Sequence, residues 1–435
     1  MTLLDQGNEW GKKPMDHLWD KVRELRHELH RHPELSGQET QTKARLMAFI
    51  QKYTKLKIVD MGDWFYALYE PAEQNGKPPI AFRADMDALP VPETISLPYG
   101  SLNAKAAHKC GHDGHSSVLA ALAVLLEEDA DVHRPVYLIF QSAEETGRGG
   151  KPCADFLREM PVSEVYAFHN LSGYPEGAVM VRDRLTQCAS RGLLVKFHGE
   201  RAHAGTPEDG RNPAAAIAAL VLYSQQMQAG QKEKQPGKHE EPEEHEEPGK
   251  HEEPGKHEEP GKHEEPGKHE EPEEHEEQKG QGIHLCTIVC IQEGSLDFGI
   301  SPGEGEIAFT LRTESDSDLE GMDKSLCQRA GQLAEEYGLN VDFSVYDPFP
   351  ATVNHPECAE KVRRAATELG LKLAPMDQPW RPSEDFGWYT RVRPGAMFYV
   401  GNGIDWPMPH QPAYNFNDHI LQTAASVFLK LAEMP

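Results

Sequence analysis

The sequence predicts an α/β fold: a mainly parallel sheet covered by helices on both faces, with a ferredoxin-like (βαββαβ) domain inserted into it. Three observations carry this. Over residues 1–184, helical apolar periodicity alternates with short apolar runs, the grammar of a covered parallel sheet. Over 185–350 the order becomes strand, helix, strand, strand, helix, strand. Over 351–435 the first grammar returns, so the principal domain is split in sequence and resumes after the insertion.

In chain order, a first helix is expected over 16–31, where Leu18, Val22, Leu25 and Leu29 share one face and Pro33 sets the stop. A second follows over 39–53. PPIAFRADM (78–86) reads as a buried strand, 113–128 as an apolar helix, and 135–141 and 165–168 as buried strands. The inserted unit is read as strand 191–199, helix 212–227, strands 282–294 and 305–313, helix 319–337 and strand 339–346. Helix 356–369, strand 395–403 and helix 418–431 complete the principal domain.

Residues 231–279 interrupt the inserted domain between its first helix and second strand. The unit is roughly HEEPGK, with His at 239, 245, 251, 257, 263, 269 and 275. With 8 Lys and 19 Glu it carries −11 of the chain's −27. It has no Val, Ile, Leu or aromatic residue, so it cannot bury enough surface to offset its ordering entropy. Proline every six residues forbids a long helix. Two readings stay open: a disordered acidic loop, or weak metal capture by seven evenly spaced imidazoles.

Composition narrows the function class. The chain has 435 residues, with 44 Lys and Arg against 71 Asp and Glu. This acidic balance argues against nucleic acid and anionic membranes as partners. No apolar run approaches the ~18 residues of a membrane span, and the first residues lack a signal peptide's apolar block. Seven scattered cysteines do not make a disulfide scaffold. The expectation is a soluble, cytoplasmic protein in which a special cysteine is a ligand or nucleophile.

Five segments then carry candidate metal chemistry. RADMDALP offers Asp85 and Asp87, HKCGHDGHSS offers Cys110 and His112, QSAEETG offers Glu144 and Glu145, FHN offers His169 and MPHQP offers His410. Each lies at an expected strand end or helix start, and in an open parallel sheet those ends share one crevice. Taken singly, a Cys-x-His pair is ordinary loop chemistry and an adjacent Glu pair is ordinary surface. Together they point to a metal. Adjacent Glu144 and Glu145 repel unless a cation compensates, and one can then ligate while the other acts as base.

The blocks RHELHRHPELSGQET, RADMDALP, HKCGHDGHSS, FQSAEETGRGG, AHAGTPEDGRNP, SEDFGWY and MPHQPAYNFND resemble, in order, those of the metal-dependent aminoacylase/carboxypeptidase family. The nearest branch is that of hippurate hydrolase, N-acyl-amino-acid amidohydrolase and plant indole-acetyl-amino-acid hydrolase. The resemblance implies a two-metal catalytic domain and a ferredoxin-like lid that often mediates homodimerisation. It implies Cys110 as bridging thiolate, His112, Glu145, His169 and His410 as the other ligands, and Glu144 as general base. Asp87 matches a residue that orients a histidine ligand; Asp85 is not assigned as a ligand. His203 matches a lid histidine that reaches a carbonyl oxygen, often across the dimer. Arg312 resembles the arginine that grips a substrate carboxylate, with Asn212 assisting. His108 and His115 are read as supporting residues. Asn170 stands after His169 where the branch commonly has an aliphatic residue.

The expected function is hydrolysis of small N-acyl amino acids by metal-activated water, with two divalent ions drawn from Zn, Mn, Co or Ni. Two alternatives remain: a dipeptidase or carboxypeptidase using the same site, and a non-catalytic metal-binding protein acting through its histidine repeat. The Glu144–Glu145 pair counts against the last, because storage needs no base.

Overall fold

The computed structural model describes residues 14–128, 131–232 and 282–434. Apart from its first two residues, the repeat expected as a disordered loop lies outside the described residues.

The first stretch of chain forms α1 (Pro14–Arg31), α2 (Thr40–Tyr53), β1 (Lys57–Asp60), β2 (Phe65–Tyr69), β3 (Ile80–Asp85), α3 (His112–Glu128), β4 (Val136–Gln141), α4 (Gly150–Glu159), β5 (Glu164–Ser172) and β6 (Val179–Met180). There follow β7 (Arg184–Gln187), β8 (Ala189–His198), β9 (Ala202–His203), α5 (Ala214–Lys232), β10 (His284–Glu293), β11 (Ile300–Ser301), β12 (Glu304–Thr313), α6 (Asp316–Tyr337) and β13 (Asn340–Phe349). The last part holds β14 (Thr352–Asn354), α7 (Pro356–Glu368), α8 (Gly387–Thr390), β15 (Gly395–Gly403) and α9 (Leu421–Glu433).

Seven strands form the central sheet in the order β1-β2-β4-β3-β5-β15-β6. Its middle, β4-β3-β5-β15, is parallel; β1, β2 and β6 add antiparallel edges. The period-two alternation of strands explains how both faces are covered. Ile80, Phe82, Leu138, Phe140, Tyr166, Phe168, Phe398 and Val400 join the core under α1, α3, α7 and α9. The intervening Ala81, Ile139, Val165, Ala167, Met397 and Tyr399 face the opposite core with Cys153, Ala154 and Leu157 of α4. The expected periodicity of α1 is borne out, since Leu18, Val22, Leu25 and Leu29 are all buried. The β1–β2 hairpin and α4 were not expected from the sequence. The hairpin strands are only four and five residues long, too short for a clear pattern.

A second, antiparallel sheet has the order β10-β12-β8-β13. Leu193, Val195 and Phe197 of β8 and Ile307, Phe309 and Leu311 of β12 pack against Ile217 and Leu220 of α5 and Leu319, Leu326 and Leu333 of α6. Helix α6 starts on Ser315, whose hydroxyl accepts the Asp318 N–H at 3.1 Å. It ends on Gly338 in the left-handed region (φ 62°). Two short ribbons, β9–β11 and β7–β14, complete the strands of the described residues. Among the described residues no helix is long and apolar enough to cross a membrane.

Candidate metal centre

The parallel strands bring their C-terminal ends to one side of the sheet, and the candidate ligands gather there. Asp85 ends β3 and Asp87 follows it. Glu144 and Glu145 lie in the turn after β4, His112 opens α3 two residues after Cys110, and His410 lies beyond β15. His169 differs from the expectation of a residue after a strand. β5 continues to Ser172, and His169 sits inside it opposite Tyr399 of β15.

Two groups of three donors share one atom. Cys110, His112 and His169 form one; Cys110, Glu145 and His410 form the other, and within each the donor atoms lie within 4.8 Å of one another. The Sγ of Cys110 is 3.4 Å from Nε2 of His169. The Nε2 of His112 is 3.7 Å from Glu145 and 3.8 Å from Glu144, and Nε2 of His410 is 3.6 Å from Glu145.

The partners of each imidazole settle which nitrogen faces inward. His112 gives its Nδ1–H to Oδ1 of Asp87 at 3.0 Å, and His169 gives its Nδ1–H to the Asn170 carbonyl at 2.6 Å. Nε2 of His169 then faces the Cys110 thiol, and Nε2 of His112 faces the glutamates. Nε2 of His112 and Oε1 of Glu145 are buried without a hydrogen-bond partner, a costly state for polar atoms unless something binds them.

The electrostatics of the thiol, the two glutamates and His169 agree, while at His112 burial is outweighed by its neighbours, the charge of Asp85 first, which raise it well above its ordinary range. Burial pushes the Cys110 thiol well above its ordinary range, with Glu145 adding to it. Burial raises Glu145 to about 8. Burial, then the neighbouring charge of Glu384, holds Glu144 well above the usual carboxylate range. Burial pushes His169 down, keeping it neutral. A cluster that penalises the Cys110, Glu144 and Glu145 anions and leaves Nε2 of His112 without a hydrogen-bond partner calls for a cation, which inverts these preferences. Thiolate, imidazole and carboxylate donors suit a borderline divalent ion.

The turn that carries the two glutamates is fastened by two further carboxylates. Ala143 has a positive φ of 51°, unusual for a residue with a side chain. Its N–H is held by Oε1 of Glu39 at 2.7 Å, and its carbonyl accepts the N–H groups of Arg148 and Gly149 at 3.2 and 3.1 Å. The Glu145 N–H goes to Oδ2 of Asp87 at 3.0 Å. His410 also has a positive φ, 68°, with its N–H on the Lys109 carbonyl at 2.6 Å.

Sequence reasoning missed the layer beneath. Arg83 is fully buried in β3 and reaches Asp85 and Asp385 at 2.7 Å and Glu384 at 2.9 Å. Asp385 also takes the Gly150 N–H at 2.7 Å and both-oxygen contacts from Nε2 of Gln141, while its own N–H lies 3.4 Å from Oε1 of Glu144. The signal was present: an arginine in an otherwise apolar strand requires buried anions, and SEDF supplies them. His115 links Asp85 to Asn170, 2.7 Å on each side, and Asn170 donates to the Tyr414 hydroxyl at 2.7 Å. His108 is buried with neither ring nitrogen partnered, and burial lowers it to about 4.

Three candidates stand elsewhere. His203 is exposed on β9, and its Nδ1 accepts the N–H of its own Gly205 at 2.9 Å. Asn212 is exposed at the start of α5, accepting the Ala214 N–H at 2.8 Å and donating to Ser301 at 3.1 Å. Arg312 on β12 donates to the Ser383 hydroxyl at 2.7 Å and to the Arg381 carbonyl, which ties the second sheet to the segment that ends in Glu384 and Asp385.

Residues 81–434 match the profile of peptidase family M20/M25/M40. The chain is 25% identical to N-acetylcysteine deacetylase of Bacillus subtilis over 94% of its length and 95% of that protein. It is 24% identical to hippurate hydrolase of Campylobacter jejuni, covering 95% of this chain and 96% of that one. It is 26% identical to IAA-amino acid hydrolase ILR1-like 5 of Arabidopsis thaliana over 94% and 85%. The fold is similar to that of a dinuclear metal-binding M20 peptidase of Bacillus subtilis, with TM-score 0.71, 22% identity and coverage of 96% and 98%.

Proposed function

The chain belongs to peptidase family M20/M25/M40, hydrolases acting on C–N bonds, and from that premise we propose that it cleaves the amide bond of small N-acyl amino acids at a two-metal centre. The observation that carries this reading is the pair of donor triads meeting at Cys110. One ion would be held by Cys110, His112 and His169, the other by Cys110, Glu145 and His410. Bound there, divalent ions supply a lowered water pKa and polarisation of the amide carbonyl.

The chain's own residues do the rest. Glu144 accepts the proton of the attacking water and delivers it to the departing amine. Asp87 orients His112 and anchors Glu145, and Glu39 fixes the turn that aims both glutamates. The domain built on the second sheet acts as a lid, and a homodimer through it offers His203 a route to the carbonyl oxygen. The exposure of His203 supports a role completed by movement or by a second copy, not one in the cluster as it stands. The contacts of Arg312 with Ser383 and the Arg381 carbonyl support a position beside the segment that ends in Glu384 and Asp385, from which it would turn to grip a substrate carboxylate.

The test is a rate panel. Purified protein loaded with Mn or Zn is offered hippurate, N-acetyl amino acids and dipeptides. Turnover of the acylated amino acids is expected. Turnover confined to dipeptides would replace this reading by a peptidase one.

A further inference from the structure

Beside the donor cluster, one aromatic ring has no part in the chemistry proposed above. The indole of Trp380 lies 4.9 Å, centroid to centroid, from the His169 ring at 58°, and 6.0 Å from Tyr399 at 80°. Among the described residues it is the one ring other than histidine in contact with a donor imidazole. Unlike Tyr399, it is only half-buried, so part of its surface remains open while the rest packs on the core that holds Tyr399.

Its backbone cannot drift. The Trp380 N–H donates to the Thr186 carbonyl at 2.8 Å. Three residues on, the Ser383 hydroxyl meets Ser190 at 2.5 Å and Arg312 at 2.7 Å. Glu384 and Asp385 are held by Arg83, and the Asp385 N–H approaches Glu144. The segment 380–385 therefore runs from a proposed metal ligand to the proposed base and is pinned along its length. A wide, flat, rigidly held ring at that point has the properties of a recognition wall: large apolar area at little entropic cost.

We propose that Trp380 is a specificity-determining residue that packs against an apolar substituent adjoining the scissile amide. The proposal rests on the N-acyl-amino-acid reading and deepens it by naming the substrate class: acylated amino acids with an aromatic or bulky aliphatic group on one side of the amide. Such a group gains contact with the indole face, whereas an acetyl group on glycine is too small to reach it.

The experiment compares N-benzoylglycine, N-acetylphenylalanine and N-acetylglycine, so that the acyl side and the amino-acid side are varied separately. Wild type, Trp380→Phe and Trp380→Ala are each assayed for kcat/KM and for metal content. Calorimetric affinities for the same compounds are measured with and without Trp380→Ala in a metal-loaded Glu144→Gln background. Trp380→Ala is expected to lower kcat/KM and affinity for one of the two aromatic compounds by about 10-fold or more relative to N-acetylglycine. Metal content should be unchanged and Trp380→Phe should recover most of the loss. The compound affected identifies the side of the amide that the ring contacts. An equal fall for all three compounds, or loss of metal, would make Trp380 a prop for His169 and overturn the proposal. If wild type neither hydrolyses nor binds any of the three, the functional reading itself fails; if it hydrolyses all three and Trp380→Ala changes none selectively, only the specificity role fails.

Discussion

The carboxylate of Asp87 holds His112 with one oxygen and the backbone of Glu145 with the other, both at 3.0 Å. It thus joins the two donor groups that meet at Cys110. Ser36 adds a hydroxyl to Oδ2 at 2.6 Å, so the carboxylate has little freedom. Partners of this kind fix the tautomer and aim of a ligand, and their removal typically costs about 10–100-fold in metal affinity. Asp87→Ala is expected to show that loss in competition titrations against a chelator. Unchanged affinity would remove Asp87 from the positioning of the centre.

Glu144 and Glu145 are adjacent but differently held. Glu145 completes a triad with Cys110 and His410, while Glu144 approaches Glu384 and Asp385. Glu144→Gln should therefore keep the metal and lose turnover, by about 10²–10⁴-fold for loss of a general base. Metal content is measured beside rate. Metal loss in this variant would mean that the two glutamates exchange roles.

If Cys110 is shared, its removal cannot spare either ion. Cys110→Ala should weaken both binding steps together in a metal titration, whereas His169→Ala should weaken one and leave the other. Two binding steps that survive in Cys110→Ala with wild-type affinities would show that the thiolate does not bridge.

Much of this candidate centre was legible in the sequence because its candidate residues sit where apolar runs end. The runs identify buried strands and parallel strands share an open end, so Asp87, Glu144, Glu145 and His410 are candidates by position, and the resemblance gives each its expected role. Cys110 and His112 lie at a helix start on the same side. His169 was found by its motif, although its strand runs three residues beyond it. Periodicity is silent on contacts between distant positions. Asn170 departs from the aliphatic residue that the resemblance implies, and its partner Tyr414 is 244 positions away. That departure gains its physical reason only in three dimensions, as a link between His115 and Tyr414. Trp380 touches His169 by the same kind of non-local packing. Glu39 reads as an ordinary polar residue at a helix start, yet it is buried and bonded to the turn before the base.

Glu39 also makes a pH prediction. Burial, then the charge of Asp87, raises its carboxyl from an ordinary 4.5 to about 7. Between those two values the folded protein holds a proton that the unfolded chain has released, so this group lowers stability progressively as pH rises, and the loss is complete above about 7. At 1.36 kcal/mol per pKa unit, the full effect is ~3 kcal/mol. Glutamine cannot ionise, yet keeps a carbonyl oxygen for the Ala143 N–H. In chelator-treated protein, where no bound cation offsets the charge, Glu39→Gln should gain stability relative to wild type by about that amount between pH 4 and pH 8. Urea unfolding at a series of pH values measures the difference. A difference that stays flat across this window would show that Glu39 does not carry the extra proton in the folded state, and that the turn before Glu144 is held by a carboxylate already ionised at pH 5.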